Sequence, residues 1–218
     1  MPVMVGLKTI ELWNSCLEDE VLAYEREEQE KGQIVFYGPS YFTRWSAAYG
    51  MTPLREAIKG KSGAECVINR GFGSSCAEHQ LYYYPRMIRP LEPKVLVYSF
   101  FGNGTAFGYS VEETWELAQR VIAYALTDFP DIHIYLCTPE PRKAELNSVE
   151  AGNRGRLASW IEQFVRETPN CYLIDMKKFP GYERKDIYVE DGVHFNQMGY
   201  DMYGDFMRQV LRDELERF

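Results

Sequence analysis

Three side chains from two distant parts of the sequence carry the groups needed for nucleophilic catalysis. Ser40 follows an apolar run and a Gly-Pro step, and much later Asp191 and His194 stand three residues apart. A serine hydroxyl is a poor nucleophile until a base removes its proton, and a histidine base needs an acid that fixes its tautomer and stabilises the imidazolium. These residues are therefore candidates for an acyl-transfer site.

Two further segments offer hydrogen-bond donors for the oxyanion that acyl transfer forms. They are "NRGFGSS" at 69–75 and "FFGNG" at 100–104, which contains Asn103. Backbone N–H groups after Ser40's strand and in the first segment, together with the Asn103 amide, could converge on one oxygen atom. Taken singly these signals are weak, because Asn-Gly and Gly-x-Gly usually mark turns. Only their combination, each at the end of an apolar run, indicates a site.

The elements that must position these residues alternate between strand and helix. Five runs rich in Val, Ile, Tyr and Phe predict strands, and most are continuously apolar, which is typical of strands covered on both faces. Such alternation with short connections predicts a parallel sheet with helices on both faces, and its site lies beyond the carboxyl ends of the strands. The predicted strands are 33–38, 65–69, 94–100, 133–138 and 171–175.

Helical spacing of apolar residues fills the intervals between these strands. Ser110 and Glu113 form a capping box at the start of one predicted helix, and Ser75 with Glu78 predicts a second start. Pro85 should bend or interrupt that second helix, and Asn196 is expected to cap the last one. Apolar residues at helical spacing are Trp13, Leu17, Val21 and Tyr24; Trp115, Ala118, Ile122, Ala125 and Phe129; Leu157, Ile161 and Phe164; and Tyr203, Phe206, Val210, Leu211 and Leu215.

Composition limits the classes of function. The 218 residues suffice for one substantial core, and no shift in composition marks a linker, so a single domain over 1–218 is predicted. A net charge of −8 disfavours nucleic acid as a partner. We expect neither a membrane span nor export, because no apolar run is long enough to cross a bilayer and the N-terminus lacks a signal pattern. Five scattered cysteines without a CxxC pair fit reduced thiols in a cytoplasmic protein: Cys16, Cys66, Cys76, Cys137 and Cys171.

The order of these motifs resembles that of the SGNH hydrolases, or GDSL esterase/lipase family, from about Trp13 to the C-terminus. The stretch "IVFYGPSYFTRW" at 34–45 is particularly similar to "ILFYGSSSIRLW" of the subgroup around platelet-activating-factor acetylhydrolase subunits. The resemblance implies a three-layer α/β/α, flavodoxin-like sandwich with a five-stranded parallel sheet. It implies Ser40 as nucleophile, His194 as base and Asp191 as orienting acid, with the oxyanion held by the N–H groups of Ser40 and Ser74 and by Asn103.

Four residues at the expected site depart from the family pattern. Pro39 removes an N–H group just before Ser40. Ser74 stands where the family has a glycine, and its Cβ would be strained if the loop requires positive φ. Phe101 replaces another glycine, and Gly104 replaces an aspartate, so the support for Asn103 differs from that in the family.

The expected activity is hydrolysis of carboxylic esters through an acyl-enzyme on Ser40, without a cofactor. Short acyl groups, acetyl first, are preferred because the chain is near the minimal size for this fold; the alcohol could be a sugar, a lysolipid or a small metabolite. One alternative is a catalytically silent protein that binds a ligand or a partner through the same cleft. A flavodoxin-like FMN protein is a third, disfavoured by the absence of a phosphate loop. Homodimers would agree with the resembled subgroup.

The remaining candidates have simpler interpretations. His79 and His133 are expected to serve in packing, and no histidine has an Asp or Cys at ligand spacing, so no metal site is predicted. The aromatic run 82–84 could cover a substrate ring, although a half-buried helix face is favoured. The polar stretch 139–155 is predicted to be a loop after a strand end, with or without a role as a substrate rim.

Overall fold

Five parallel strands make one sheet in the computed structural model, which describes residues 16–144 and 146–218 without the side chain of Cys16. The strand order is β2-β1-β3-β4-β5. Because the chain moves from β1 to β2 on one side and then to β3 on the other, the order reverses at β1, where such sheets form their crevice. The strands are β1 (Ile34–Gly38), β2 (Val67–Gly71), β3 (Val95–Tyr98), β4 (His133–Cys137) and β5 (Cys171–Ile174).

Helices cover both faces of the sheet, so the architecture is a three-layer α/β/α sandwich and the predicted fold class is confirmed. One hydrophobic cluster contains residues of α1, α4, α6 and α7, and the other contains residues of α2, α3, α8 and α9. The helices are α1 (Cys16–Glu25), α2 (Ser40–Thr43), α3 (Leu54–Ala57), α4 (Ala77–Met87), α5 (Asn103–Ala106), α6 (Val111–Asp128), α7 (Ser148–Glu167), α8 (Gln197–Val210) and α9 (Arg212–Leu215).

The predicted strands are all present, with ends that differ by one to a few residues. The largest change is at β2, which continues past the predicted end to Gly71. A Cβ atom at Gly71 would lie 2.3 Å from the backbone nitrogen of Thr43, which no real side chain tolerates. Glycine at this position therefore lets α2 pack directly on β2, and it helps to hold the turn that carries Ser40.

The structure corrects three predictions about helices. The helix predicted to begin at Ser75 is capped by Cys76, whose N–H donates to Nδ1 of His79 at 3.1 Å. Ser75 serves the loop instead, because its hydroxyl accepts from Gln80 and its carbonyl accepts from Asn103. Pro85 lies inside α4, and the helix ends two residues later at Met87.

The second and third corrections concern the stretch 139–155 and the last helix. The stretch is not a loop to its end, because α7 begins within it at Ser148 and is capped by Asn147, whose side chain accepts from the Glu150 N–H at 2.9 Å. The apolar period 203–215 divides into α8 and α9, which meet at Leu211. Trp13, at the start of the first predicted helix, lies outside the described residues. The capping box predicted at Ser110 and the cap predicted at Asn196 are confirmed: Ser110 and Glu113 bond reciprocally, and the Asn196 side chain accepts from the Gly199 N–H.

Candidate active site

Ser40 lies beyond the carboxyl end of β1, at the first position of α2. Pro39 caps this short helix in an extended conformation (φ −79°, ψ −157°), so its missing N–H is one that no helix bond requires. Gly38 allows a close approach to β3, because a Cβ there would lie 2.8 Å from the carbonyl oxygen of Ser99. The Gly-Pro step therefore places the serine hydroxyl at the crevice without straining the backbone.

His194 reaches Ser40 from a tight turn that precedes α8. Its Nε2 lies 2.7 Å from Ser40 Oγ, and its Nδ1 lies 2.7 Å from Asp191 Oδ2. The turn is closed by the bond from Val189 N–H to the His194 carbonyl at 3.0 Å, and Gly192 supplies the positive φ of +66° that it needs. Ser40 and His194 are 154 positions apart in the sequence, yet Ser40, His194 and Asp191 form one hydrogen-bonded row.

Four donors surround the Asp191 carboxylate. Its Oδ1 accepts from the backbone N–H groups of Val193 and His194, each at 2.9 Å, and its Oδ2 faces the imidazole and the guanidinium of Arg44. Partial burial opposes ionisation, but the bonds from His194 and Val193 prevail and hold the pKa of Asp191 well below its usual range. Asp191 is therefore a carboxylate at neutral pH.

The His194 imidazole is biased toward its neutral form. Burial lowers its pKa, the hydrogen bond to Asp191 opposes that shift, and the nearby charge of Arg44 adds to it, so that the pKa lies below the ordinary value. A neutral imidazole whose Nδ1 faces a carboxylate keeps its proton on Nδ1. Its Nε2 then carries the lone pair that faces the serine hydroxyl.

Besides Ser40, the residues predicted to hold the oxyanion are Ser74, in the loop between β2 and α4, and Asn103, the first residue of α5. Ser74 is exposed and adopts φ +61°, so the positive φ considered from the sequence is present. The Gly73 N–H is already used, since it donates to Glu20 Oε2 at 2.8 Å. Asn103 donates from Nδ2 to the Ser75 carbonyl at 2.8 Å. Among the described residues, no hydrogen bond joins Ser74 or Asn103 to Ser40.

Two departures from the family pattern have physical explanations. A Cβ at Gly104 would lie 2.8 Å from Thr114 Oγ1, so an aspartate there would collide with α6. Phe101 is buried, and the Arg154 guanidinium lies over its ring at 5.4 Å from the centroid. The orientation of Asn103 therefore depends on the Ser75 carbonyl.

Sequence reasoning missed several residues beside the site. Arg44 is one helical turn after Ser40, a spacing that could have indicated it. Glu20 on α1 and Glu140 beyond β4 gave no local signal. Glu140 is buried against the Ser99 hydroxyl, and burial raises the pKa of its carboxyl group. The adjacent Pro141 carbonyl accepts from the Tyr41 hydroxyl at 2.6 Å, which anchors the segment that follows β4.

One cluster of side chains contradicts the prediction that no histidine has a cysteine at metal-ligand spacing. Cys76, Glu78 and His79 are buried, and their ligand atoms lie within 4.8 Å of one another. Cys76 and His79, however, form the cap of α4, and Glu78 accepts from the Tyr109 hydroxyl. These bonds account for the cluster as the start of a helix. His79 is thus fully buried, as a packing residue is expected to be.

The profile of the GDSL-like lipase/acylhydrolase family matches residues 31–206. The chain belongs to this family. Membership places it among the carboxylic ester hydrolases and agrees with the resemblance noted from the motifs. No curated protein matches the sequence. No helix in residues 16–144 and 146–218 has the length and apolar character needed to cross a membrane.

Solved structures share the fold at low sequence identity. A GDSL-like lipase from Bacteroides thetaiotaomicron has a TM-score of 0.72 at 15% identity, covering 91% of this chain and 98% of its own. A putative platelet activating factor protein from Streptococcus pneumonia has a TM-score of 0.70 at 15% identity, covering 94% and 96%. An acetyl xylan esterase has a TM-score of 0.65 at 20% identity, covering 82% and 99%.

Proposed function

We propose that this GDSL-family member is a serine esterase that works through an acyl-enzyme on Ser40. The observation that carries the proposal is the distance of 2.7 Å between His194 Nε2 and Ser40 Oγ, with Asp191 at the other ring nitrogen. A hydroxyl that donates to a neutral imidazole is ready to lose its proton as it attacks a carbonyl carbon.

In the first half of the reaction, Ser40 Oγ bonds to the ester carbonyl carbon while its proton moves to His194 Nε2. The carbonyl oxygen becomes an oxyanion, for which the N–H groups of Ser40 and Ser74 and the Asn103 amide are the proposed donors. The bond to the leaving alcohol then breaks, and His194 returns the proton to the alcohol oxygen. Asp191 stabilises the imidazolium during these steps.

In the second half, water replaces the alcohol. His194 removes a proton from the water as its oxygen attacks the acyl carbon, and the proton then passes to Ser40 Oγ as the acid product leaves. Every proton transfer thus uses the same nitrogen, and no step requires a cofactor.

We infer that the preferred acyl group is short, with acetyl first. Ser99, Glu140 and Tyr41 are buried and hydrogen-bonded beside the nucleophile, and this close packing favours a small acyl group over a long one. An acetyl xylan esterase among the similar structures supports the same preference. Among the alcohols, a sugar, a lysolipid and a small metabolite stay open. Three further expectations stay predictions: that residues 1–218 act as one SGNH-hydrolase-like domain, that the chain forms homodimers, and that it is cytoplasmic.

The test compares wild type with Ser40→Ala on p-nitrophenyl acetate and on the octanoyl ester. Loss of one triad member costs on the order of 10⁴- to 10⁶-fold in kcat. Ser46→Ala is the matched control, because Ser46 is on the same segment and its hydroxyl donates to the Thr43 carbonyl. Wild type should prefer acetate and react with a fluorophosphonate at Ser40.

Equal hydrolysis by wild type and Ser40→Ala would overturn the proposal. It would leave a catalytically silent binding protein as the better reading. A preference for the octanoyl ester would contradict the short acyl group while leaving the serine mechanism intact.

A further inference from the structure

Arg44 connects the segment that carries the nucleophile to the acid of the same site. It directly follows α2, and its backbone N–H donates to the Ser40 carbonyl at 2.9 Å. Its Nη1 lies 2.9 Å from Asp191 Oδ2, the oxygen that is also 2.7 Å from His194 Nδ1. Its guanidinium packs over the Tyr49 ring at 5.4 Å, and only 33% of its side chain is exposed. The Arg44–Asp191 ion pair is therefore restrained at the arginine by Tyr49 and at the aspartate by His194.

We propose that Arg44 is a positioning residue of this site, which holds the Asp191 carboxylate in line with His194 and places a permanent positive charge beside the imidazole. The inference rests on the proposed esterase function. The family pattern quoted for residues 34–45 has leucine where Arg44 stands.

The orienting part of the role follows from the geometry of the carboxylate. The two backbone donors bind Oδ1 only, which leaves Oδ2 with the imidazole alone unless Arg44 is present. Asp191 lies on an exposed turn, where an Oδ2 atom bonded to the imidazole alone would be open to competition from water. A charge-assisted bond from a guanidinium that stacks on Tyr49 opposes that competition.

The positive charge of Arg44 also acts on the protonation of His194. Arginine stays protonated at every relevant pH, so its field opposes a positive imidazole. It keeps His194 free to accept a proton at lower pH, and it also makes the imidazolium of the transition state less favourable. Asp191 offsets that cost, because it lies between the two cations and contacts both.

The other groups around His194 cannot supply this field. Tyr41 packs against the ring at 5.8 Å between centroids, and the Tyr200 hydroxyl donates to the Tyr41 carbonyl at 2.9 Å. Burial raises the pKa of both tyrosines well above the usual value, so they stay neutral. Lys143 packs its aliphatic stem on Gly192, and its backbone N–H donates to the Gly192 carbonyl at 2.8 Å. Within residues 16–144 and 146–218, Arg44 is therefore the one lysine or arginine side chain paired with Asp191.

The experiment measures kcat and kcat/KM for p-nitrophenyl acetate between about pH 5 and about pH 9. Arg44→Gln should lower the plateau kcat about five-fold, the value of one hydrogen bond, with little change in KM. Its acid limb should move to higher pH, because loss of the positive charge raises the pKa of the base. Arg44→Lys should keep the acid limb of wild type and lose part of the plateau, since it retains the charge without the planar fork.

Arg120→Gln is the matched control, because Arg120 is also partly exposed and paired with a carboxylate, Glu116, but lies on α6. Its profile should match that of wild type. Thermal unfolding of each variant separates a loss of folding from a loss of positioning, and Arg44→Lys tests the role if Arg44→Gln is unstable.

An Arg44→Gln profile that superimposes on wild type would overturn the proposal, as would an equal change in Arg120→Gln. Neither result would touch the esterase function, which fails only if Ser40→Ala stays active. If Arg44→Gln lowers the plateau kcat but leaves the acid limb where wild type has it, the orienting role of Arg44 stands and its electrostatic role is overturned.

Discussion

Two histidine–carboxylate pairs lie at opposite ends of the sheet. At the carboxyl end, His194 Nδ1 is 2.7 Å from Asp191; at the amino end, His133 Nδ1 is 2.6 Å from Glu214. In both pairs a histidine Nδ1 faces a carboxylate oxygen, and the two nitrogen–oxygen distances are nearly equal. In the part of the chain that the structure describes, only the first pair has a hydroxyl hydrogen-bonded to its other ring nitrogen, that of Ser40.

The neighbours of each carboxylate explain the difference. Glu214 is buried, and it also accepts from the Tyr135 hydroxyl at 3.0 Å and pairs with Arg217 at 2.9 Å. It therefore joins α9 to β4. Asp191 instead lies on an exposed turn at the crevice. A histidine–carboxylate distance alone does not indicate catalysis; the end of the sheet and the group at the second nitrogen decide it.

The largest expected effect separates the two histidines. His194→Gln should lower kcat by about 10⁴-fold or more, because it removes the proposed base, whose Nε2 lies 2.7 Å from Ser40 Oγ. His133→Gln should leave kcat within about three-fold and lower the free energy of unfolding by about 1 kcal/mol, the value of one hydrogen bond. Steady-state kinetics and urea unfolding measure the two quantities. Similar kinetic losses in both variants would abolish the distinction.

The next effect separates the two carboxylates. Asp191→Asn should cost up to about 10⁴-fold in kcat, since an amide favours the wrong tautomer of His194, and should leave stability nearly unchanged. Glu214→Gln should lower the free energy of unfolding by about 2 kcal/mol, because it disrupts a buried pair, with kcat kept. The same two measurements apply, and a stability loss confined to Asp191→Asn would reverse the assignment of roles.

The smallest effect concerns two asparagine amides, one at each end of the sheet. Asn103 donates to the Ser75 carbonyl at 2.8 Å, and Asn170, before β5, donates to the Pro130 carbonyl at 3.2 Å. Asn103→Ala should lower kcat about 10²-fold at similar KM if its amide also holds the oxyanion. Asn170→Gly, which suits φ +62° at that position, should leave kcat unchanged. An unchanged kcat for Asn103→Ala would remove it from the oxyanion site.

Much of the fold could be predicted because its signals are local. Continuous apolar runs predicted all five strands, since a parallel sheet covered on both faces must be apolar on both. The capping box at Ser110 likewise needs only residues one turn apart. The cap of α4 was placed one residue early, because Ser75 bonds to Gln80 and Asn103, and neither contact is visible in a local pattern.

Chain order and residue type alone determined that a serine follows the first strand, that an acid and a histidine share one turn, and that both lie at the carboxyl edge of a parallel sheet. The tertiary structure alone decided which partners those groups have. Arg44 reaches Asp191 across 147 positions, and Glu20 takes the Gly73 N–H across 53. Such contacts arise when separate elements pack together, so no local spacing encodes them.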